Sequence, residues 1–254
     1  MPEGPPAREV VEEFTRAAAG FAERTKGRFE DLDAVAFSHA ARGDVIAEVG
    51  AGTGHFLSLF AEVAGALIAV DVTPAMLEQA RKDHPSVVPV LGDGARLPLR
   101  SSSIDLVTSA QMLHHVLRPL PILNEMRRVA APSGSVLIVD QVAPERFEEA
   151  VAMTELETIR DPSHASSRPP SAFRVLVQAA GLEVAEERIV ESRSRFSAWM
   201  WPGEFPATRI ELVRTFIKER GRETGMDFEP VGDDYLFTRR RMMLRATKPD
   251  SMRA

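Results

Sequence analysis

The sequence predicts an open α/β fold, in which a mostly parallel sheet is covered by helices on both faces. Three observations carry this prediction. An apolar run at residues 45–49 leads directly into a glycine-rich turn, and short apolar segments then alternate with amphipathic ones as far as about residue 140. An acid, Asp71, stands at the end of the second apolar segment. Ligands of such sheets bind where the carboxyl ends of the strands meet, so these features also locate a ligand crevice.

The elements follow one another in a regular order. Strands are predicted near residues 45–49, 67–71, 87–91, 104–109 and 135–140, and helices near 54–63, 74–83 and 119–130. This alternation joins parallel strands through right-handed crossovers. Helices near 7–25 and 31–41 are predicted before the first strand. After residue 141 we expect helices near 145–160, 171–180 and 206–224, and strands near 182–191 and 234–247.

The chain has 254 residues, of which 44% are hydrophobic, and this is enough for one large α/β domain. No internal repeat and no second glycine-rich turn is visible in the sequence. We therefore expect a single domain, 1–254. Within it we expect a helical cap at residues 1–42 and a ligand-binding core at 43–140. Substrate-side helices are expected at 141–181, and C-terminal strands with a substrate-side insertion at 182–254.

Composition excludes several kinds of partner. The formal net charge of −6 argues against nucleic acid or an anionic membrane as the main partner. Zero cysteines exclude thiolate metal sites, and no His or carboxylate spacing predicts another metal site. No apolar stretch is long enough to span a bilayer, and no signal peptide is visible. We expect a cytoplasmic protein that binds a small molecule, whose oligomeric state the sequence leaves open.

The glycine turn distinguishes two classes of nucleotide site. Glycines at 50, 52 and 54 permit positive φ angles and let a ligand approach the backbone closely. A dinucleotide fingerprint G-x-G-x-x-G starting at Gly50 needs a glycine at position 55, where His55 stands. An NAD(P)-binding oxidoreductase is therefore the second interpretation. The pattern that is present is E-x-G-x-G-x-G, starting at Glu48.

That pattern resembles motif I of the class I S-adenosylmethionine (SAM)-dependent methyltransferases. Three later segments, at residues 92–98, 104–116 and 125–140, resemble further motifs of the same family in the same order. The start of the chain, from Phe14, is similar to the type 11 methyltransferases, the group of UbiE and YcgJ. Several motifs in register are far more specific than one glycine turn, and the resemblance covers residues 40–190 well.

The resemblance implies a Rossmann-like, doubly wound sheet of seven strands with the last strand antiparallel, together with helical cap elements. It also implies SAM as the cofactor, with S-adenosyl-L-homocysteine as its product, and Asp93 as the acceptor for the adenine amino group. The expected cofactor-binding residues are Phe14, Glu48, Gly50, Ala51, Gly52, Gly54, Asp71, Val72, Met76, Asp93, Gly94, Ala95, Ser109, Ala110, Gln111 and His114.

Two acids have a chemical reason to bind this cofactor. Asp71, about 20 residues beyond the glycine turn, is suited to accept both ribose hydroxyls, with a helix cap as the alternative role. Glu48 can orient the cationic methionine ammonium group, with bonding to the amides of the turn alone as its alternative.

Methyl transfer from a sulfonium is an in-line displacement, so it depends on alignment of donor and acceptor and on exclusion of water. A general base is needed only if the acceptor arrives protonated. His114, His115 and His164 are the candidates for this role, each with a structural role as the alternative. We therefore expect a methyltransferase acting on oxygen or carbon of a small molecule. A non-catalytic SAM-binding protein is the third interpretation.

Two features near the end of the chain stay ambiguous. Arginines occupy positions 239, 240 and 241, and the negative net charge favours a solvated strand end over an anion site. Trp199 and Trp201 are compatible with a cavity wall or with the core. Residues 192–234 match no family pattern, so the sequence does not define the methyl acceptor.

Overall fold

The computed structural model of the chain describes residues 14, 15, 20, 22, 23, 25–200 and 205–249. Its centre is one sheet with the strand order β3-β2-β1-β4-β5-β8-β6, and β7 pairs with β8 at the side of this path. The strands are β1 Val45–Val49, β2 Ala66–Asp71, β3 Val87–Leu91, β4 Ile104–Ala110, β5 Ala130–Gln141, β6 Glu183–Arg195, β7 Glu229–Val231 and β8 Asp234–Thr247.

The predicted sheet is confirmed. Strands β1 to β5 pair in parallel, and β8 runs antiparallel to both of its neighbours, β5 and β6. The main path therefore has seven strands with the last one antiparallel. The short strand β7, which the sequence did not predict, forms a hairpin with the beginning of β8.

Helices cover both faces of this sheet. In the described ranges they are α1 Ala34–Ser38, α2 Pro74–Asp83, α3 Leu120–Val129, α4 Phe147–Arg160, α5 Pro170–Ala179, α6 Phe196–Trp199 and α7 Ala207–Arg220. Short 3-10 helices occur at Glu30–Leu32, Leu57–Phe60, Leu113–His115 and Gly221–Thr224. None of these helices combines the length and the apolar character that crossing a bilayer requires. Of the helix predicted near 7–25, the described residues 14, 15, 20, 22, 23 and 25 are helical, and the others lie outside the described residues.

The helix predicted near residues 54–63 is wrong, because only Leu57–Phe60 forms a short 3-10 helix. An α-helix would pair the His55 carbonyl with the Leu59 amide. The Ser58 hydroxyl instead donates to that carbonyl at 2.9 Å, and the Leu59 amide donates to the Phe56 carbonyl at 3.2 Å. A local side-chain hydrogen bond thus competes with the α-helical pattern.

The helix predicted near residues 31–41 is shorter than expected. Its α-helical part is α1, which ends at His39, a residue with a φ of +59°. This left-handed conformation is a common way to terminate a helix. Phe37 of α1 is buried in the apolar cluster on one face of the sheet and thereby anchors the helix.

Three apolar clusters hold the fold together. Side chains alternate along β1, so that Ile46 packs in the cluster on one face of the sheet and Ala47 in the cluster on the other. A third cluster, which includes Phe196 and Phe237, forms between α4, α6, α7 and the first half of β8. It gives a core to the segment 192–234, for which the sequence showed no pattern.

Candidate active site

A cavity of 390 Å³ lies beside the carboxyl ends of β1, β2 and β4. Its far wall comes from α4, α6, β6 and β8. The cavity brings together many of the predicted cofactor-binding residues, which are Phe14, Glu48, Gly50, Ala51, Gly52, Asp71, Val72, Met76, Ala110, Gln111 and His114. Segments from both ends of the chain therefore share one site.

Some predicted residues do not line this cavity, namely Gly54, Asp93, Gly94, Ala95 and Ser109. The Asp93 side chain is exposed and accepts a hydrogen bond from the Ala95 amide at 2.8 Å. Ser109 is buried within β4. Cofactor contacts of these five residues stay predictions.

Glycine is required in the turn after β1 for two different reasons. Gly50 has a φ of +72°, and a Cβ there would lie 2.3 Å from Cγ of Met112, which is a clash. Gly52 has a φ of +52°, but a Cβ there would meet no atom within 4 Å. The backbone at Gly52 therefore adjoins open space, and a ligand could lie directly against it.

Asp71 connects the glycine turn to β2. One carboxylate oxygen accepts a hydrogen bond from the Gly52 amide at 2.8 Å, and the other accepts one from the Thr73 amide at 2.8 Å. Burial raises the pKa of Asp71, although these hydrogen bonds oppose the shift. Each oxygen retains a further lone pair, so Asp71 can also accept hydrogen bonds from ligand hydroxyls.

Glu48 is a buried carboxylate in the cavity wall, only 1% exposed. Its Oε2 atom has no hydrogen-bond partner among the described residues. Burial, reinforced by the neighbouring charge of Asp71, raises the pKa of Glu48 well above its usual value. An unpartnered buried carboxylate oxygen is costly, and a cationic ligand group would remove this cost.

His114 and Asp140 form a buried pair. The Nδ1 atom of His114 lies 2.6 Å from Oδ1 of Asp140, at the end of β5. Burial raises the pKa of Asp140 to about 6, whereas burial and the nearby His115 and His164 lower the pKa of His114 well below its usual value. Near pH 7 the imidazole is therefore neutral and donates from Nδ1 to the carboxylate, which leaves Nε2 as a proton acceptor. The sequence assigned no role to Asp140.

The other two candidate histidines differ in position. His115 lines the cavity, and its Nδ1 lies 3.0 Å from the Ser163 carbonyl oxygen. His164 is buried and is not part of the cavity wall, and its Nε2 lies 3.0 Å from Oγ of Ser167. Its ring stacks on that of His114 with 5.5 Å between centroids. Within the described part of the chain, no group of three or more His, Asp or Glu side chains could hold a metal ion.

A buried arginine keeps the histidine-bearing 3-10 helix in place. Arg168 donates to the carbonyl oxygens of Leu113 at 2.9 Å and of Val116 at 2.6 Å. These carbonyls flank His114 and His115, so the guanidinium fixes the backbone that presents both rings. Sequence reasoning did not single out Arg168, because nothing local indicates which distant carbonyls it meets.

Three arginines line the cavity, and the sequence predicted none of them as site residues. Arg28 donates to Oε1 of Gln111 at 2.6 Å, and Arg160 pairs with Glu157 at 2.8 Å. Arg239 has no hydrogen bond or ion pair with any described residue, although its side chain is largely buried. Burial, together with repulsion by neighbouring arginines, lowers the pKa of Arg28 to about 9 and that of Arg239 to about 10, although the charge of Glu157 opposes the shift of Arg239.

The prediction of a solvated strand end at residues 239–241 is therefore wrong for Arg239 and Arg241. Side chains alternate across β8, so Arg239 and Arg241 share one face and Arg240 lies on the other. Arg241 is buried and pairs with Asp31, whereas Arg240 pairs with exposed Glu191 at 2.8 Å. Trp199 lines the cavity and belongs to the third apolar cluster as well, while Trp201 lies outside the described residues.

The order of the sheet with its one antiparallel strand, and the glycine turn that opens into a cavity at the carboxyl edge, agree with the class I methyltransferase architecture that the sequence motifs implied. Residues 47–138 match the family model described as a methyltransferase domain. The uncharacterized methyltransferase YcgJ of Bacillus subtilis strain 168 is 27% identical over 183 residues, which are 70% of this chain and 72% of YcgJ.

Two further proteins are similar. A demethylmenaquinone methyltransferase of Renibacterium salmoninarum is 29% identical over 142 residues, which are 55% of this chain and 60% of that protein. The crystal structure of a presumed methyltransferase from Bacillus halodurans C-125 has a TM-score of 0.80 and 26% identity, and the match covers 86% of this chain and 98% of that one. The family predicted from the sequence motifs is thus confirmed, and the matched core of this chain is a methyltransferase domain.

Proposed function

We propose that this protein is an enzyme that transfers the methyl group of SAM to an oxygen or carbon atom of a small-molecule acceptor. The observation that carries the proposal is the unpartnered carboxylate oxygen of Glu48, which lies in the wall of the same cavity as the open backbone of Gly52. A buried anion beside a glycine turn suits a cofactor that carries both a cationic amino group and a nucleoside.

The residues on the β1 and β2 side would hold the cofactor. Glu48 would bind the methionine ammonium group, and Asp71 would accept hydrogen bonds from the ribose hydroxyls. Gly52 would leave room for the ligand against the backbone. When bound, SAM supplies an electrophilic methyl group, and the thioether leaves without needing an acid.

His114 is the residue best placed to remove a proton from the acceptor. It lines the cavity, its pKa is low enough to keep it neutral, and Asp140 holds it in the tautomer that exposes Nε2 as an acceptor. Asp140 is a positioning residue, because it acts through the imidazole. Phe14 and Trp199 also line the cavity and would help to exclude water from the reacting groups.

Ligand titration tests the cofactor assignment. We expect dialysed protein to bind SAM and S-adenosyl-L-homocysteine saturably in calorimetry, and to give no saturable heat with NADH. Binding of NADH without binding of SAM would support the oxidoreductase interpretation instead. A panel of phenolic, enolic and amine acceptors with tritiated SAM then separates an enzyme from a non-catalytic SAM-binding protein, since only the enzyme labels an acceptor.

Replacement of His114 by glutamine is expected to lower kcat by about 10²- to 10⁴-fold with a hydroxylated acceptor, because positioned general bases contribute rate factors of this size. The measurement is initial-rate methyl transfer at saturating SAM. Binding of SAM should fall far less than kcat, because the charged groups proposed to hold the cofactor are Glu48 and Asp71. An equal loss of kcat and of SAM affinity would contradict a role of His114 as the base.

The pH profile provides the matching test of Asp140. Because burial raises its pKa to about 6, its carboxylate becomes protonated as the pH falls through that value, and kcat should fall with it. In the Asp140→Asn variant we expect a lower kcat without this acid limb. A profile whose acid limb is unchanged in the variant would show that another group controls the rate.

A further inference from the structure

One part of the cavity wall carries three arginines. They are Arg28, Arg160 and Arg239, and the carboxylate among the lining residues on this side is that of Asp161. The other lining carboxylates, Glu48 and Asp71, lie in β1 and at the end of β2, on the other half of the sheet order from β8. Positive and negative charges are thus separated along one cavity.

The charges on this side are only partly compensated within the protein. Glu157 neutralises Arg160, with 2.8 Å between Oε2 and Nε, and Asp161 accepts hydrogen bonds from the Ser163 amide and hydroxyl. Arg28 has a neutral partner, the side chain of Gln111. Arg239 has no hydrogen-bond or ion-pair partner among the described residues. Two partly buried guanidinium groups therefore lack a direct carboxylate partner among the described residues.

Such an arrangement is costly for the protein alone. A partly buried cation without a charged partner loses part of its hydration, and neighbouring cations repel one another. Both effects lower the pKa of Arg28 and of Arg239, and Glu157 only partly opposes the shift of Arg239. Guanidinium groups present planar sets of N–H donors that match the geometry of carboxylate and phosphate oxygens.

We propose that Arg239, together with Arg160, forms the binding site for an oxyanion group, a carboxylate or a phosphate ester, on the methyl acceptor. This inference rests on the proposed function, since it assigns a substrate class to the same cavity. Arg160 lies 4.9 Å from the ring of Trp199, and this indole also lines the cavity. An acceptor with an apolar or aromatic body and an anionic end would contact both groups.

The position of the site agrees with methyl transfer. Arg239 comes from β8 and Trp199 from α6, whereas the glycine turn follows β1. His114 follows β4, which lies between these two regions in the strand order. An acceptor anchored by its anionic end at β8 would therefore extend its reacting group towards the imidazole and the methyl donor.

Fluorine NMR of three small probes tests the proposal on protein saturated with S-adenosyl-L-homocysteine. The probes are 4-fluorobenzoate, 4-fluorophenyl phosphate and, as the neutral control, 4-fluorobenzamide. We expect at least one anion to bind about tenfold more tightly than the amide, and the two anions distinguish a carboxylate site from a phosphate site. Equal binding of the amide and both anions would overturn the proposal.

Two variants on the same strand assign the effect to one side chain. Arg239→Gln should weaken binding of the preferred anion about tenfold, whereas Arg240→Gln removes the same charge on the opposite face of β8 and should leave it unchanged. Arg239→Lys keeps the charge and should weaken binding less than Arg239→Gln. Equal losses in the Arg240→Gln and Arg239→Gln variants would mean general electrostatic attraction and would overturn the proposal.

The experiment also separates this inference from the cofactor assignment. Because Arg239 has no hydrogen-bond or ion-pair partner among the described residues, Arg239→Gln should leave the thermal unfolding temperature unchanged or higher. If the variant instead loses affinity for S-adenosyl-L-homocysteine, Arg239 binds the cofactor carboxylate and the acceptor site is disproved. If the wild-type protein does not bind S-adenosyl-L-homocysteine at all, the proposed function fails, while anion binding stays measurable in the ligand-free protein.

Discussion

Replacement of Gly52 by alanine is expected to weaken SAM binding by about 10- to 100-fold while the protein stays folded. The added methyl group meets no atom within 4 Å, so the ligand-free protein has room for it. A ligand that lies against this backbone would collide with it, and forcing an extra carbon into a packed contact costs about 1–3 kcal/mol. Calorimetric titration with SAM measures the effect.

A second glycine provides a matched control for backbone strain. Gly232 has a φ of +61°, close to the +52° of Gly52, and a Cβ there also meets no atom within 4 Å. Both alanine variants should therefore lose a similar amount of stability, of the order of 1–2 kcal/mol for a left-handed residue. Only Gly52→Ala should lose SAM affinity. Equal SAM affinity in both variants would contradict cofactor binding at the glycine turn.

Replacement of Glu48 by glutamine is expected to weaken SAM binding by about 100-fold or more. Removing one member of a buried charge pair costs about 2–5 kcal/mol, and glutamine retains the shape of the side chain while losing the charge. The measurement is the SAM dissociation constant at pH 7.5. An unchanged SAM affinity in the variant would contradict the proposed contact between Glu48 and the methionine ammonium group.

The stability of the ligand-free Glu48→Gln variant should not fall together with its SAM affinity. Burial raises the pKa of Glu48 in the folded protein, so its contribution to stability is present at low pH and is lost as the pH rises through that raised value. Glutamine does not ionise, and the ligand-free Glu48→Gln variant should unfold at the same or a higher temperature than wild type near pH 8. A variant that binds SAM weakly because it is misfolded would instead unfold at a lower temperature.

The pH dependence of binding identifies the same group. An ammonium ligand favours ionised Glu48, so SAM affinity should fall as the pH decreases through the raised pKa of the free protein. This dependence should be weaker in Glu48→Gln, where the carboxylate of Asp71, whose pKa burial also raises, continues to titrate. Parallel pH profiles for wild type and variant would argue against Glu48 as the responsible group.

Much of the proposed cofactor side of the cavity follows from local sequence. Gly50 and Gly52 come after β1 and Asp71 ends β2, the apolar runs of both strands are easily recognised, and parallel strands bring their carboxyl ends to one edge. Local reasoning failed for the helix predicted near 54–63, where a side chain competes with the backbone. The Ser58 hydroxyl donates to the His55 carbonyl, which an α-helix would pair with a backbone amide.

The arginine side of the cavity could not be predicted in this way. Arg28 and Arg160 have ordinary local sequences, and the run at 239–241 does not show which of its arginines faces the cavity. A negative net charge suggested solvent for Arg239, but net charge does not show how charges are distributed inside a fold. Asp140 likewise became a site residue only through its contact with His114.

The sequence by itself determined most of the order of strands and helices, the class of the protein and the position of the glycine turn, because periodicity, glycine spacing and strand ends are local properties of the chain. Only the tertiary structure decided which distant charges share the cavity. Pairing of β8 with β5 and β6 turns Arg239 inward and Arg240 outward, and packing of Phe196 and Phe237 closes the segment 192–234 over its own core. Those contacts join residues that are far apart in sequence, so long-range packing is what defines the arginine side of the cavity.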